Sequence, residues 1–266
     1  MPCEAAVTPE TILNECPRMG PEDRFTFRCG PDLACFTQCC RDVTIVLTPY
    51  DLLRLKRALG LDSSELLEKH TLRLQPANQK FPIVALKMEG ERTQCPFLSE
   101  KGCTVYSNRP WACRMYPLGA AAPDAPTADD QPFHFVVRES LCQGHGEGCA
   151  VSVREWLASQ QIEEFEMMSA GFKELTLDRF WDGDSRLTPQ QQDMFYMACY
   201  DLDRFRRFIF ETRFLQLFEV DEARVEALRA DDGELLDFAM QWLRFAIFGE
   251  RSMKMRQHAA PRRNGQ

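Results

Sequence analysis

Eleven of the twelve cysteines fall within residues 1–149, and three of them occupy six positions in the stretch Cys35-Phe-Thr-Gln-Cys39-Cys40. Adjacent cysteines rarely bridge each other. A disulfide needs Cα atoms roughly 4.4–6.8 Å apart in a particular orientation, and neighbouring residues are about 3.8 Å apart. Each thiol must therefore find another partner. The full pattern is Cys29-x5-Cys35-x3-Cys39-Cys40, then Cys95-x7-Cys103-x9-Cys113, then Cys142-x6-Cys149. These clusters make one site only if the fold brings them together. On a helical turn Cys35 and Cys39 share a face while Cys40 points elsewhere. Structural zinc takes tetrahedral Cys or His ligands, often as pairs about two to four residues apart, a spacing that only Cys35/Cys39 has here; iron–sulfur clusters accept thiolates at more varied spacing. The plainer alternative is a buried free thiol, since cysteine packs as a small apolar side chain. It suits the isolated Cys3, Cys16 and Cys199, whereas a metal suits the clustered sets better.

At 266 residues the chain is long enough to bury a hydrophobic core without covalent staples, so folding alone does not require the cysteines. A net charge of −8 argues against a dedicated nucleic-acid binder. Residues 1–20 carry neither a basic n-region nor an apolar run, and no stretch reaches the roughly 18 apolar residues of a membrane span. The expected compartment is the cytoplasm, where thiols stay reduced and serve as metal ligands or redox groups. A protein partner is expected for the helical half; nucleic acid and membrane are not.

The pattern predicts an α+β protein in which a small, irregular, metal-organised cysteine domain precedes a mainly α-helical region. The expected segments are 1–26, a cysteine-cluster domain over 27–156, helices over 157–250 and a basic, disordered tail over 251–266. Val43–Leu47 reads as strand, and Thr48-Pro49 opens a helix that ends at Gly60. A short helix follows from Ser63 or Ser64 to His70. Strands are expected over Ile83–Met88, Thr104–Tyr106 and Phe133–Val137, and the Pro/Ala/Asp-rich stretch 120–132 reads as a mobile loop. Ser152 with Glu155 forms a capping box, Thr188-Pro189 opens one long amphipathic segment reaching Phe218, and two helices cover Asp221–Arg229 and Gly233–Phe248. Phe205, Phe208, Phe210 and Phe214 are simplest as core packing.

Around the thiols, Arg109 and Arg114 flank Cys113 and could offset thiolate charge, or lie on the surface. Trp111 and Tyr116 read as packing residues. His145, between Cys142 and Cys149, is a candidate zinc or iron ligand against the commoner solvated histidine. Gly144-His-Gly-Glu-Gly148 imitates a nucleotide loop without the strand–helix context such a loop needs, so a flexible ligand loop is preferred. A thiol–disulfide exchanger would want Cys-x-x-Cys near a βαβ pattern, and neither is present.

The run FRCGPDLACFTQCCRDVTIVLTPYDLLRLKR, followed by CPFLSEKGCTVYSNRPWACRMYPLG, resembles the YkgJ-type cysteine-cluster family of zinc- or iron-chelating CxxCxxCC domains. The resemblance extends from Phe27 to Trp156. It implies chelation of zinc or iron, alone or as an iron–sulfur cluster, with Cys29, Cys35, Cys39, Cys40, Cys95, Cys103, Cys113 and Cys142 as the ligand set. The first cluster departs from the signature, with five and three intervening residues where the name implies two and two. The family is also similar to a domain of flagellin lysine-N-methylases whose cysteines are thought to hold an iron–sulfur cluster. An iron–sulfur-dependent enzyme is therefore the alternative to a chelating domain.

Overall fold

The computed structural model describes residues 3–4, 9–76, 79–91, 93–123, 131–182 and 186–256, with backbone alone at 3, 4, 9 and 10. Most of the expected mobile loop (124–130) and of the basic tail (257–266) lies outside the described residues. The architecture is α+β: short strands concentrate in the N-terminal half and helices in the C-terminal half. Two compact units divide the chain, residues 1–45 with 88–165 and residues 46–87 with 166–266.

In the first unit, Phe133–Arg138 is the central strand of three, parallel to Cys3–Glu4 and antiparallel to Leu118–Ala121. Buried Phe133 and Phe135 alternate with half-buried neighbours along it and pack with Cys16. A second pair joins Arg24–Phe27 to His145–Ser152, antiparallel, with a register shift between His145 and Ala150. Ser152 then caps the helix Val153–Ser159 as the sequence predicts. Its hydroxyl accepts from the Glu155 amide at 3.1 Å, and Glu155 accepts from the Ser152 amide at 2.7 Å. Met115, Leu118, Val153 and Ile162 form the core beside that helix, flanked by Phe25, Trp111 and Trp156.

One expected strand is displaced. Pairing involves Gly102–Cys103 with Leu98–Ser99, not Thr104–Tyr106. Thr104 only closes the hairpin, its amide donating to the Phe97 carbonyl at 2.8 Å, and Tyr106–Asn108 turns into 3-10 helix. The β-branched Thr104-Val105 pair carries the strand signal, but the tight turn at Lys101-Gly102, with φ +107 at the glycine, fixes the register one step earlier.

The second unit has a three-stranded antiparallel sheet in the order Val46–Leu47, Ile83–Leu86, Thr71–Leu74. The helix Pro49–Leu59 starts on a full capping box between Thr48 and Asp51 and ends at Gly60 in the left-handed region, φ +64. It buries Leu52, Leu53 and Leu55, each worth about 2 kcal/mol relative to exposure. The helix Ser63–His70 follows, capped by Asp62.

The single segment expected from Thr188 to Phe218 is three helices: Pro189–Tyr200, Leu202–Glu211 and Phe214–Leu217. The first break falls at Asp201, whose backbone leaves the helical region (φ −105, ψ 69) while its carboxylate accepts from the Arg204 amide and from the Ser63 and Ser64 hydroxyls. Hydrophobic periodicity runs through the break because helices on both sides bury aromatic residues. Phe205 and Phe214 are core, Phe208 stacks on Phe205 at 6.1 Å, and Phe210 lies under the Arg229 guanidinium at 4.0 Å. The helices Glu222–Ala230 and Asp232–Phe248 complete the unit.

Candidate metal centre

The strand Arg24–Phe27 delivers the chain to Cys29, and tight turns then wind it. The amides of Leu33, Phe36, Gln38, Cys40 and Arg41 donate to carbonyls three residues back at 2.9–3.1 Å, and Thr37 takes the left-handed conformation, φ +69. Arg28 grips the Asp32 carboxylate with two bonds of 2.6 and 2.7 Å, bracketing the turn after Cys29 and holding Asp32 down to about 2. The result is a coil carrying Cys29, Cys35, Cys39 and Cys40, the last two on one 3-10 turn, Gln38–Cys40.

Three further segments reach this coil. Residues 93–95 run against 40–42: the Cys95 amide donates to the Cys40 carbonyl at 2.9 Å, and the Asp42 amide to the Thr93 carbonyl at 3.0 Å. The hairpin after Cys95 pairs Cys103 with Leu98. Cys113 rides on the short helix Trp111–Met115. Cys142 ends a turn from Glu139, and the next amide, Gln143, donates to the Cys35 sulfur at 3.2 Å.

Gly144 explains how the last segment fits. The Arg28 amide donates to its carbonyl at 3.1 Å, and a Cβ placed there would stand 2.3 Å from the Arg28 carbonyl oxygen. The glycine stretch is therefore part of a strand pair in close approach, with φ +85 and +84 at Gly146 and Gly148 forming the register shift. The expected flexible ligand loop is an ordered strand, His145–Ser152.

The thiols act on one another electrically. Cys29 is exposed as a residue, yet partial burial of its thiol raises its pKa, and Cys39, Cys35 and Cys142 raise it further. A hydrogen bond from Cys40 holds Cys39 down to about 7, against burial and Glu139. That same bond pushes the Cys40 thiol far up, followed by burial and by the charges of Cys39, Cys95 and Cys113. Burial raises Cys95, with Cys103 and Glu89 adding to it. Burial raises Cys103 too, and nearby Arg109 opposes it. The charges of the eight cysteines named from the resemblance are thus coupled, directly or through one another. Among the described residues, no three His, Cys, Asp or Glu side chains already enclose an ion position. A cleft of about 520 Å³ lined by Glu89, Glu91, Gln94 and Cys95 opens beside this layer, and its acidic rim favours cations.

Other candidates fall elsewhere. Arg114 is buried and donates to the carbonyls of Arg109 (3.0 Å), Gln160 (2.8 Å) and Ser107, with its guanidinium 4.5 Å from the Phe165 ring. It pins the Cys113 helix. Arg109 stacks on Tyr106 at 3.9 Å and does lie near a thiol, Cys103. His145 meets the Tyr116 hydroxyl at 3.3 Å, and burial followed by Arg138 lowers its pKa. Cys149 is exposed, and Cys199, fully buried in the second unit, is the free packing thiol the sequence suggests. Cys16 is a correction. It is buried but disulfide-bonded, a pairing that its isolation along the chain could not signal.

Tyr116 is the residue that sequence reasoning undervalued. Its ring packs edge-on against Phe27 at 5.6 Å, and its hydroxyl bonds the Cys142 thiol. Burial first, and that bond second, raise its pKa. Nothing in the local sequence separates this tyrosine from an ordinary packing residue.

Among the described residues, no helix is long and apolar enough to cross a membrane. No curated protein and no solved structure matches the chain. Residues 28–143 match the model of the CxxCxxCC family, whose description reads "Putative zinc- or iron-chelating domain". The match begins one residue before Cys29, ends one residue after Cys142, and includes residues 46–87 of the second unit. The segment that carries the clustered thiols is therefore similar to the CxxCxxCC family over residues 28–143.

Proposed function

We propose that this chain holds zinc or iron through the thiols of Cys29, Cys35, Cys39, Cys40, Cys95, Cys103, Cys113 and Cys142. The observation that carries the reading is the gathering itself. Thiols from four stretches of chain, spaced up to 108 residues apart at the bond between Gln143 and the Cys35 sulfur, become neighbours. Crowded thiols resist ionisation because each new thiolate meets the charge of the others. A bound cation removes that penalty, and metal binding releases the thiol protons. An all-sulfur donor set suits zinc or iron and disfavours magnesium and calcium, which prefer oxygen. Binding would draw the sulfurs together and so stabilise the first unit, where the local backbone is turns and two-residue strands.

Metal content by mass spectrometry, with an absorption spectrum and an acid-labile sulfide assay, tests this on protein purified without oxygen. Zinc in a colourless sample supports a chelating domain. Iron with acid-labile sulfide assigns the cluster form and brings forward the enzyme related to flagellin lysine-N-methylases. Protein that carries no metal and takes up neither zinc nor iron on reconstitution refutes the proposal.

A further inference from the structure

We propose that a cleft in the second unit, lined by the helix Leu202–Glu211 and by the end of the helix Glu222–Ala230, binds a phosphate monoester through Arg207 and Arg229. The site lies apart from the thiols and does not depend on the chelation reading.

The cleft holds about 400 Å³, within the roughly 300–1,000 Å³ of small-ligand sites. Most of its charges already have partners. Asp203 accepts from Lys56 at 3.0 Å, from the Ser63 amide at 2.8 Å and from Arg206 at 3.2 Å. Arg206 also donates to the Leu228 carbonyl at 3.2 Å and to Asp232 at 2.5 Å. Asp62 caps its helix, accepting from the Glu65 amide at 2.9 Å. Arg207 and Arg229 differ. Among the described residues, no hydrogen bond or ion pair engages Arg207, and Arg229 meets Glu226 through Nε alone, at 3.8 Å. The Arg207 guanidinium and both terminal nitrogens of Arg229 are therefore open to a ligand. Arg229 is also held in place, with its guanidinium 4.0 Å from the centre of the Phe210 ring. The Arg206–Leu228 bond ties the residue before Arg229 to the helix that carries Arg207, which fixes the spacing of the two arginines before a ligand arrives.

Glu211, one turn after Arg207, is the acid in the cleft without a partner among the described residues, so two open guanidiniums face one open carboxylate. That balance favours an anion. A carboxylate offers two oxygens and is satisfied by one guanidinium fork. A phosphate monoester offers three terminal oxygens and close to two negative charges, which engage two forks and outweigh the repulsion of Glu211. Phe210 is the aromatic residue of the lining and carries Arg229 on its face, so recognition rests on the phosphate and not on a stacked base.

Calorimetry on the full chain tests this with three probes: inorganic phosphate, a phosphoserine peptide and the same peptide unphosphorylated, all at matched ionic strength in sodium chloride. Both phosphate probes should bind one per chain, and the unphosphorylated peptide should not. Arg207→Gln and Arg229→Gln should each weaken binding at least about tenfold, because each removes charge-assisted hydrogen bonds. Arg229→Lys should restore only part of the loss, since an ammonium keeps the charge without the fork. Glu211→Gln should tighten binding. These side chains are exposed, so the variants should melt with the wild type and keep its metal content. Tighter binding of the phosphopeptide than of inorganic phosphate assigns the ester to a phosphorylated protein, and equal binding assigns it to a small molecule. Failure of both phosphate probes to bind, or wild-type affinity in the Arg207→Gln/Arg229→Gln double variant, overturns the proposal and leaves chelation untouched.

Discussion

Replacing Gly144 by alanine should open the strand pair that seats Cys29 and Cys142. The new Cβ would stand 2.3 Å from the Arg28 carbonyl oxygen and 2.9 Å from the Phe27 ring, so backbone and ring would both have to retreat. Phe27 cannot move freely, because its ring is held edge-on by Tyr116 at 5.6 Å and by Trp156 at 5.6 Å. Overpacking of this kind costs about 1–3 kcal/mol, and parting the strands also weakens the Arg28–Gly144 hydrogen bond, about 1 kcal/mol more. A loss of about 3 kcal/mol is expected. Gly146 is the control. It lies two residues on with φ +85 and nothing within 4 Å of a new Cβ, so Gly146→Ala bears only left-handed strain, about 1–2 kcal/mol. Urea unfolding followed by tryptophan fluorescence measures both, since Trp156 packs on Phe27. Zinc affinity should fall more in Gly144→Ala than in Gly146→Ala. If Gly144→Ala lies within about 0.5 kcal/mol of wild type, or Gly146→Ala is the more damaging, the close-approach argument is wrong.

Arg114→Met removes a buried guanidinium and leaves three carbonyls short of donors, so it should destabilise the protein by about 3 kcal/mol; a thermal melt unchanged from wild type would show that those bonds carry little. Tyr116→Phe deletes one hydroxyl next to Cys142 and should weaken zinc binding about tenfold in competition with a chelator, without changing the number of metals bound. Asp232 supplies a pH test. Burial pushes its pKa up, but bonds from Arg206 and Lys56 outweigh burial and hold it below the ordinary value. A depressed folded value means stabilisation that is present above the unfolded pKa, near 4, and is lost as pH falls through the folded one. Asp232→Asn should therefore be markedly destabilising at pH 7 and progressively less so towards pH 2; an equal effect at both ends would contradict the ion-pair account.

Locally encoded features were legible in the sequence. Thr48-Pro49 with Gly60, Ser152 with Glu155, and Thr188-Pro189 each carry their own hydrogen-bonding logic within a few residues, and each marks a real helix end. Features that depend on distant partners were not. Nothing near Arg24–Phe27 announces pairing with His145–Ser152, nor does any period mark residues 46–87 as packing with the later helices. Asp201 reads as one more polar residue on an amphipathic stretch until Ser63 and Ser64 supply the hydroxyls that hold it outside the helix. At the thiol layer, spacing and family resemblance named the cysteines. The roles of Arg114 under Cys113, Gly144 beside Cys142 and Tyr116 on its sulfur are properties of surfaces meeting across the fold.

The discontinuity of the two units bears on how the chain is made. Residues 46–87 are translated early, yet the later helices they pack with begin at Pro189 and continue to Phe248. At about 5–20 residues per second, the helix Pro49–Leu59 waits on the order of ten seconds with Leu52, Leu53 and Leu55 uncovered before its unit can close. The cysteine-bearing unit faces a shorter delay, because its last thiol emerges at Cys149 and its last packing residues by Phe165. Biosynthesis therefore favours a nascent chain whose cysteine-bearing unit is fully synthesised while residues 46–87 still lack their later helices, and that interval is when holdase chaperones and early metal capture would matter most to yield.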